Sequence, residues 1–287
     1  MTTSTAVAGP VTAGHRRLIR SELLKIRTTN AWWWFALGAL AWTLAALAFN
    51  MWFAHIALTD PEMLGGQGGP GMSSAAFHGS NVYTSGQFLG LMFVMLIGIL
   101  MVTNEFHHQT ATATFLATPR RTVVIASKLV TAVLVGMAFA VAIMAIALPA
   151  GALFFSAEGV GTLLDEWPVQ RSILLNLLAF GVWSVFGVAI GTLITNQLFA
   201  TLLAAGLYLI GTQLASLFFL LLSIWLDNEA VLEWQVIVPS IASQVMTSGG
   251  ADIPGSPQWW VGALILLGYA VVAGTVGVLI TRRRDIS

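Results

Sequence analysis

NEFHHQTATATFLATPRR, running from Asn104 to Arg121, is a polar island between two apolar runs, each long enough to cross a lipid bilayer. Two histidines, one glutamate, four threonines and a Pro-Arg-Arg stand where a soluble chain would place an unremarkable turn. What the island does depends on which side of a membrane it occupies.

The 287 residues are 57% apolar and only 8% charged, with a mean hydropathy of +0.85. Soluble domains carry about 25% charged residues, so these few charges could not solvate a globular surface. The chain is therefore read as an all-α integral membrane protein. Six candidate spans stand at about 32–54, 85–102, 122–148, 172–195, 198–226 and 259–280. Each has roughly 18 to 29 residues, and at 1.5 Å per residue the shortest reaches about 27 Å. A closed barrel would need strands alternating over about 10 residues, and these runs do not alternate. Residues 1–14 read as a disordered leader, 15–30 as an amphipathic helix at the membrane surface, and 31–287 as the six-span domain. The first span is too long for the apolar region of a secretory signal, which is about 7 to 15 residues.

Basic residues collect on the cytoplasmic side of membrane proteins. With the N-terminus inside, six spans return the C-terminus to the same face. Arg16, Arg17, Arg20, Lys25, Arg27, Arg120, Arg121, Lys128 and Arg282 to Arg284 then lie inside, leaving only Arg171 of the 12 basic residues outside. Most acids sort to the outer face: Glu22, Glu105 and Asp285 alone stay with the arginines. Asn104 to Arg121 becomes the larger of two cytoplasmic loops.

On a helical wheel, Leu18, Ile19, Leu23 and Ile26 share one side of His15 to Arg27, with Arg16, Arg17, Arg20 and Arg27 opposite and Lys25 at the apolar edge. Such a helix lies on the membrane surface and either fixes orientation on anionic lipid or also receives a partner.

The order of these features resembles the ABC-2 type permeases, the membrane half of bacterial ATP-binding-cassette exporters. The basic segment SELLKIRTTNAWWW runs straight into span one. After span two come Glu105, Phe106, Thr110, then Phe115-Leu116-Ala117-Thr118-Pro119, Arg120 and Arg121, similar to that family's acidic, threonine-bearing stretch, with Lys128 entering the next span. The family often has a basic residue and a glycine before the threonine, where this chain has His108 and Gln109. The resemblance implies that the loop holds a short coupling helix seated on a separate ATPase subunit, with Arg16, Arg20, Glu22, Lys25 and Arg27 as the accompanying interface helix. It also implies a pathway built from two copies, a homodimer being expected, in the bacterial cell membrane, and a re-entrant pair between spans five and six. Glu105 is expected to pair with Arg121 or Lys128.

A P-loop needs a Gly-Lys pair after a glycine-rich turn. The only lysines, Lys25 and Lys128, follow Leu24 and Ser127, which closes that route; the resemblance then implies that ATP and Mg are bound by the partner ATPase, and no cofactor is expected on this chain. Neither enzyme chemistry, a metal site nor a nucleic-acid partner is expected. His107 and His108 are adjacent and would point apart on a helix. Carboxylates are missing from the span interiors and Lys128 is placed to snorkel to the interface, which disfavours ion coupling. Asn176, Thr212, Gln213 and Ser216 are the deep polar residues and candidates for the pathway, which suits a lipophilic or amphipathic cargo such as a drug, antibiotic, peptide or lipid. Gly86/Gly90 and Gly187/Gly191 have the spacing of close helix contacts. The alternatives are a nucleotide-independent channel or carrier, and a structural membrane anchor.

Overall fold

The fold is described from a computed structural model, over residues 15–29, 31–60, 74–110, 121–248 and 257–283. Among these residues all regular structure is helical. The helices are α1 (His15–Thr28), α2 (Ala31–Thr59), α3 (Ala75–Tyr83), α4 (Gln87–His107), α5 (Arg121–Ala157) and α6 (Trp167–Leu193). They continue with α7 (Gln197–Leu226), a 3-10 segment (Glu229–Ile237), α8 (Pro239–Thr247) and α9 (Trp259–Arg283). Six of the long elements are apolar enough to span a membrane, with α3 and α4 together forming the second.

Two boundaries differ from the sequence reading. Span two begins at Ala75, ten residues before Ser85, because α3 turns into α4 through Gly86 at φ 89°. A Cβ there would lie 2.3 Å from Thr43 Oγ1, so both the left-handed backbone and the approach of α2 require glycine. Asn50 of α2 spans the break, donating to Asn81 O at 3.3 Å and Ser85 Oγ at 2.9 Å. Span three does not stop at Leu148, since α5 runs through Pro149 to Ala157. A proline frees one carbonyl, but ending a helix inside lipid would free several, and neighbouring helices can re-satisfy the one.

The spans are not equivalent. In its most apolar stretch, span two is 83% buried and span five 11%. α4 and α6 form the central pair, and their axes close to backbone contact. A Cβ on Gly187 would fall 2.0 Å from Met95 O, one on Gly98 2.5 Å from Ser184 O, and one on Gly191 2.8 Å from Ile99 O. The expected Gly187/Gly191 face is therefore a packing face. Gly90 meets the Phe180 ring, while Gly86 serves the bend. α2, α7 and α9 surround this pair and leave wide apolar faces uncovered, Trp34, Phe49, Phe218, Trp225 and Val271 among them. In water such faces would aggregate; in a bilayer they meet acyl chains or another chain.

α8 turns back into the bundle. Ala242, Ser243 and Met246 are fully buried, and Trp183 Nε1, midway along α6, donates to Ser243 Oγ at 2.8 Å. A Cβ on Gly262 of α9 would lie 2.5 Å from Ala242 O. At the same end of the bundle Arg171, at the start of α6, donates to Ser248 O just past α8, and its guanidinium lies 4.8 Å from the Trp259 ring centroid. A cation beside the carbonyl end of a helix complements its dipole.

Candidate functional site

The strongest concentration of charge inside the protein lies where α1, α4 and α5 meet. Leu18, Glu22 and Ile26 recur every four residues, so they share the face of α1 that packs on α5. Ile26 joins the apolar cluster of Met101, Val102, Ala132 and Val188, which fixes α1 against both spans. Glu22 comes in with that face and is only 4% exposed. A carboxylate so placed must be neutralised and hydrogen-bonded.

Lys128 does both. Its ammonium donates to Glu22 Oε2 at 2.7 Å, to Glu105 Oε1 at 2.8 Å and to Met101 O at 3.2 Å. These contacts use all three of its donors. Glu105 is 5% and Lys128 1% exposed. Lys25 closes the group from the solvent side, 2.8 Å from Glu22 Oε1 and 2.5 Å from Glu105 Oε1. Two carboxylates and two ammonium groups give a net charge of zero. Burial works against the Lys25 charge, but its hydrogen bonds to Glu105 and Glu22 outweigh that and hold its pKa above the ordinary 10.5.

This arrangement corrects one expectation. Lys128 does not snorkel: its ammonium turns inward, because two carboxylates at hydrogen-bonding distance satisfy it better than the lipid interface would. The five residues assigned to the interface helix divide between two environments. Arg16, Arg20 and Arg27 are exposed, whereas Glu22 is buried and Lys25 is committed to the cluster. The Glu105 to Lys128 pairing stands as expected.

The polar island begins in a defined way. α4 ends at His107, and Gln109, at φ 56°, takes the left-handed position usually held by glycine. Thr110 N donates to Glu105 O and Gln109 N to Phe106 O, the paired closing bonds of a Schellman motif. Gln109 holds this left-handed conformation although it has the Cβ that glycine lacks. Phe106 packs on the Met101 cluster and, with His107, lines a groove shared with the turn Thr195 to Gln197 between spans four and five. Thr110 is exposed at the edge of a second hollow walled by Lys25, Trp32 and Glu105. Phe115, Leu116, Pro119 and Arg120 lie outside the described residues, as does the side chain of Arg121, whose backbone opens α5.

The four deep polar residues do not converge. Thr212 is buried and bonded to Tyr208 O and Ser240 Oγ, which ties α7 to α8. Gln213 faces outward, and Ser216 is half-buried. Asn176 is on α6, fully buried, and neither of its amide atoms has a hydrogen-bond partner among the described residues.

Six apolar helices with the cluster at one end define a multi-pass α-helical membrane protein. The chain belongs to the family described as "Protein of unknown function (DUF2705)", whose model matches residues 36–287. No curated protein matches it.

Proposed function

We propose that this chain is the membrane-spanning permease subunit of an ATP-binding-cassette exporter, working as a homodimer in a bacterial cell membrane with both termini in the cytoplasm. The observation that carries the reading is Lys128 holding Glu22 and Glu105 at once. Through that one ammonium, the surface helix and the ends of spans two and three are joined into a single rigid unit. Force applied to α1 or to the loop that follows Thr110 passes directly into α4, and from α4 through the glycine contacts into α6. A partner that pushes from the cytoplasm needs a lever of this kind.

The charge distribution supports this sidedness. The end bearing the cluster also carries the arginines of α1, whereas Glu158, Asp165, Glu166, Asp227, Glu229 and Glu233 lie at the other. The groove beside Phe106 and His107 gives the ATPase a place to sit. The uncovered face of α2 gives the second copy one, and those of α7 and α9 leave the cargo a lipophilic route.

The test is co-expression with candidate ATP-binding-cassette ATPases from the same genome, followed by purification through a tag on the permease. Stoichiometric recovery of the ATPase, lost on reversing the charge of Arg20 and Arg27, is expected. Flux of cargo or ions through the purified chain without nucleotide would favour the channel reading and overturn this one.

A further inference from the structure

On the far side of α6 from the charge cluster, a cavity of about 450 Å³ opens among α6, α7, α8 and α9. It is roughly three times the ~150 Å³ cavity that admits benzene and within the ~300–1,000 Å³ range of ligand sites. Its wall is aromatic. Trp183 meets Phe186 edge to face at 5.2 Å and Tyr208 at 4.9 Å, and Phe186 meets Tyr269 at 6.4 Å. The mouth faces sideways, toward the bilayer, between Leu207 and Val272, which are 63% and 60% exposed. Leu207 and Tyr208 belong to the π turn Leu207–Gly211, a distortion often retained at functional sites.

The polar atoms of this wall are nearly all spent. Trp183 Nε1 donates to Ser243, the Tyr208 hydroxyl to Phe88 O at 2.7 Å, and Thr212 is paired with Ser240 at 2.6 Å. Among the described residues the Tyr269 hydroxyl has no hydrogen-bond partner. The start of α8, which has no side-chain cap, forms part of the same wall, and its dipole favours an electronegative atom over a cation. With no charged side chain among the described lining residues, an ion would be held at a high desolvation cost.

We infer that this cavity binds an uncharged, flat, ring-containing lipophile of two or three rings that bears one acceptor oxygen, entering from the bilayer and placing that oxygen against the Tyr269 hydroxyl. Aromatic edges recognise ring faces, which a saturated acyl chain lacks. The site stands whether or not the chain moves cargo, since binding is read without an ATPase.

Benzophenone, two rings and one carbonyl, is both ligand and photo-cross-linker. Irradiated with the purified full-length chain in nanodiscs, it labels peptides containing Trp183, Tyr208 or Tyr269 saturably. 9-Fluorenone displaces it and dodecane does not. Tyr269→Phe weakens displacement by fluorenone about 2- to 10-fold, the loss of one hydrogen bond, and leaves displacement by the hydrocarbon fluorene unchanged. Ala273→Trp fills the cavity and abolishes the saturable label. Should that variant misfold, Tyr269→Phe decides alone. Labelling that never saturates, dodecane competing as well as fluorenone, or fluorenone indifferent to Tyr269→Phe each overturns the inference.

Discussion

The Lys128 ammonium lies 2.7 Å from Glu22 and 2.8 Å from Glu105, bridging carboxylates from two helices that are 83 positions apart in sequence (105 less 22). Removing it leaves both acids buried with the half-exposed Lys25 as their one ion-pair partner among the described residues. Lys128→Met is expected to destabilise the protein by about 3–5 kcal/mol, the cost of stranding buried charge. Adding Glu22→Gln to Lys128→Met should restore part of the loss, and the double-mutant cycle of detergent melting measures the coupling. Additive losses would mean the three groups do not act as a unit.

Lys25 sets a pH signature. Its pKa is raised in the folded protein, so its contribution is fully present below the ordinary 10.5 and is lost as pH climbs through the raised value. With 43% of its side chain exposed, the contribution is screened to under about 1 kcal/mol. The difference in melting temperature between the native chain and Lys25→Met should be constant from neutral pH to about pH 10 and shrink only above that. A difference that fades between pH 7 and 9 contradicts the contact.

Much of this site was legible in advance. The six spans follow from apolar length, and the loop spacing limits the partner of Glu105 to Arg121 or Lys128, of which Lys128 makes the contact. Glu22 was the missed signal. On the wheel it falls between Leu18 and Ile26, in the middle of the apolar stripe, and an acid there demands a buried cation. The interface-helix set groups Glu22 with the arginines by charge, whereas its angular position belongs with the apolar residues. Leu23, placed on the stripe by angle, is 40% exposed, because α5 covers only the edge that Glu22 occupies. The aromatic cavity was not legible at all: Trp183, Tyr208 and Tyr269 line one space because spans far apart in sequence pack together, which no local pattern encodes.

Close packing at the centre makes another prediction. Gly187→Ala places a methyl group 2.0 Å from Met95 O and should cost about 1–3 kcal/mol as α4 and α6 are pushed apart. Gly206→Ala, where nothing lies within 4 Å, is the control and should be neutral or stabilising by up to about 1 kcal/mol through helix propensity. Thermal melting in one detergent compares the two, and equal effects would refute the contact.

Asn176 is fully buried without partners for its amide among the described residues, so its polar atoms lower stability. Asn176→Leu, of similar volume, should leave the melting temperature unchanged or raise it. If Asn176 serves the cargo pathway, transport falls in the same variant while stability holds. A loss above about 1 kcal/mol would instead reveal a hydrogen-bonding partner for the amide.

The central claim is that the end of the bundle holding Lys128 faces the cytoplasm, where ATP is available to drive it. The chain contains no cysteine, so a single introduced one reports alone. Thr110 and Glu229 are both exposed, at opposite ends. With a membrane-impermeant maleimide, Thr110→Cys should react in inverted vesicles and not in intact cells, and Glu229→Cys the reverse. Labelling of Thr110→Cys from outside intact cells would place the lever where no nucleotide can reach it and would contradict the account.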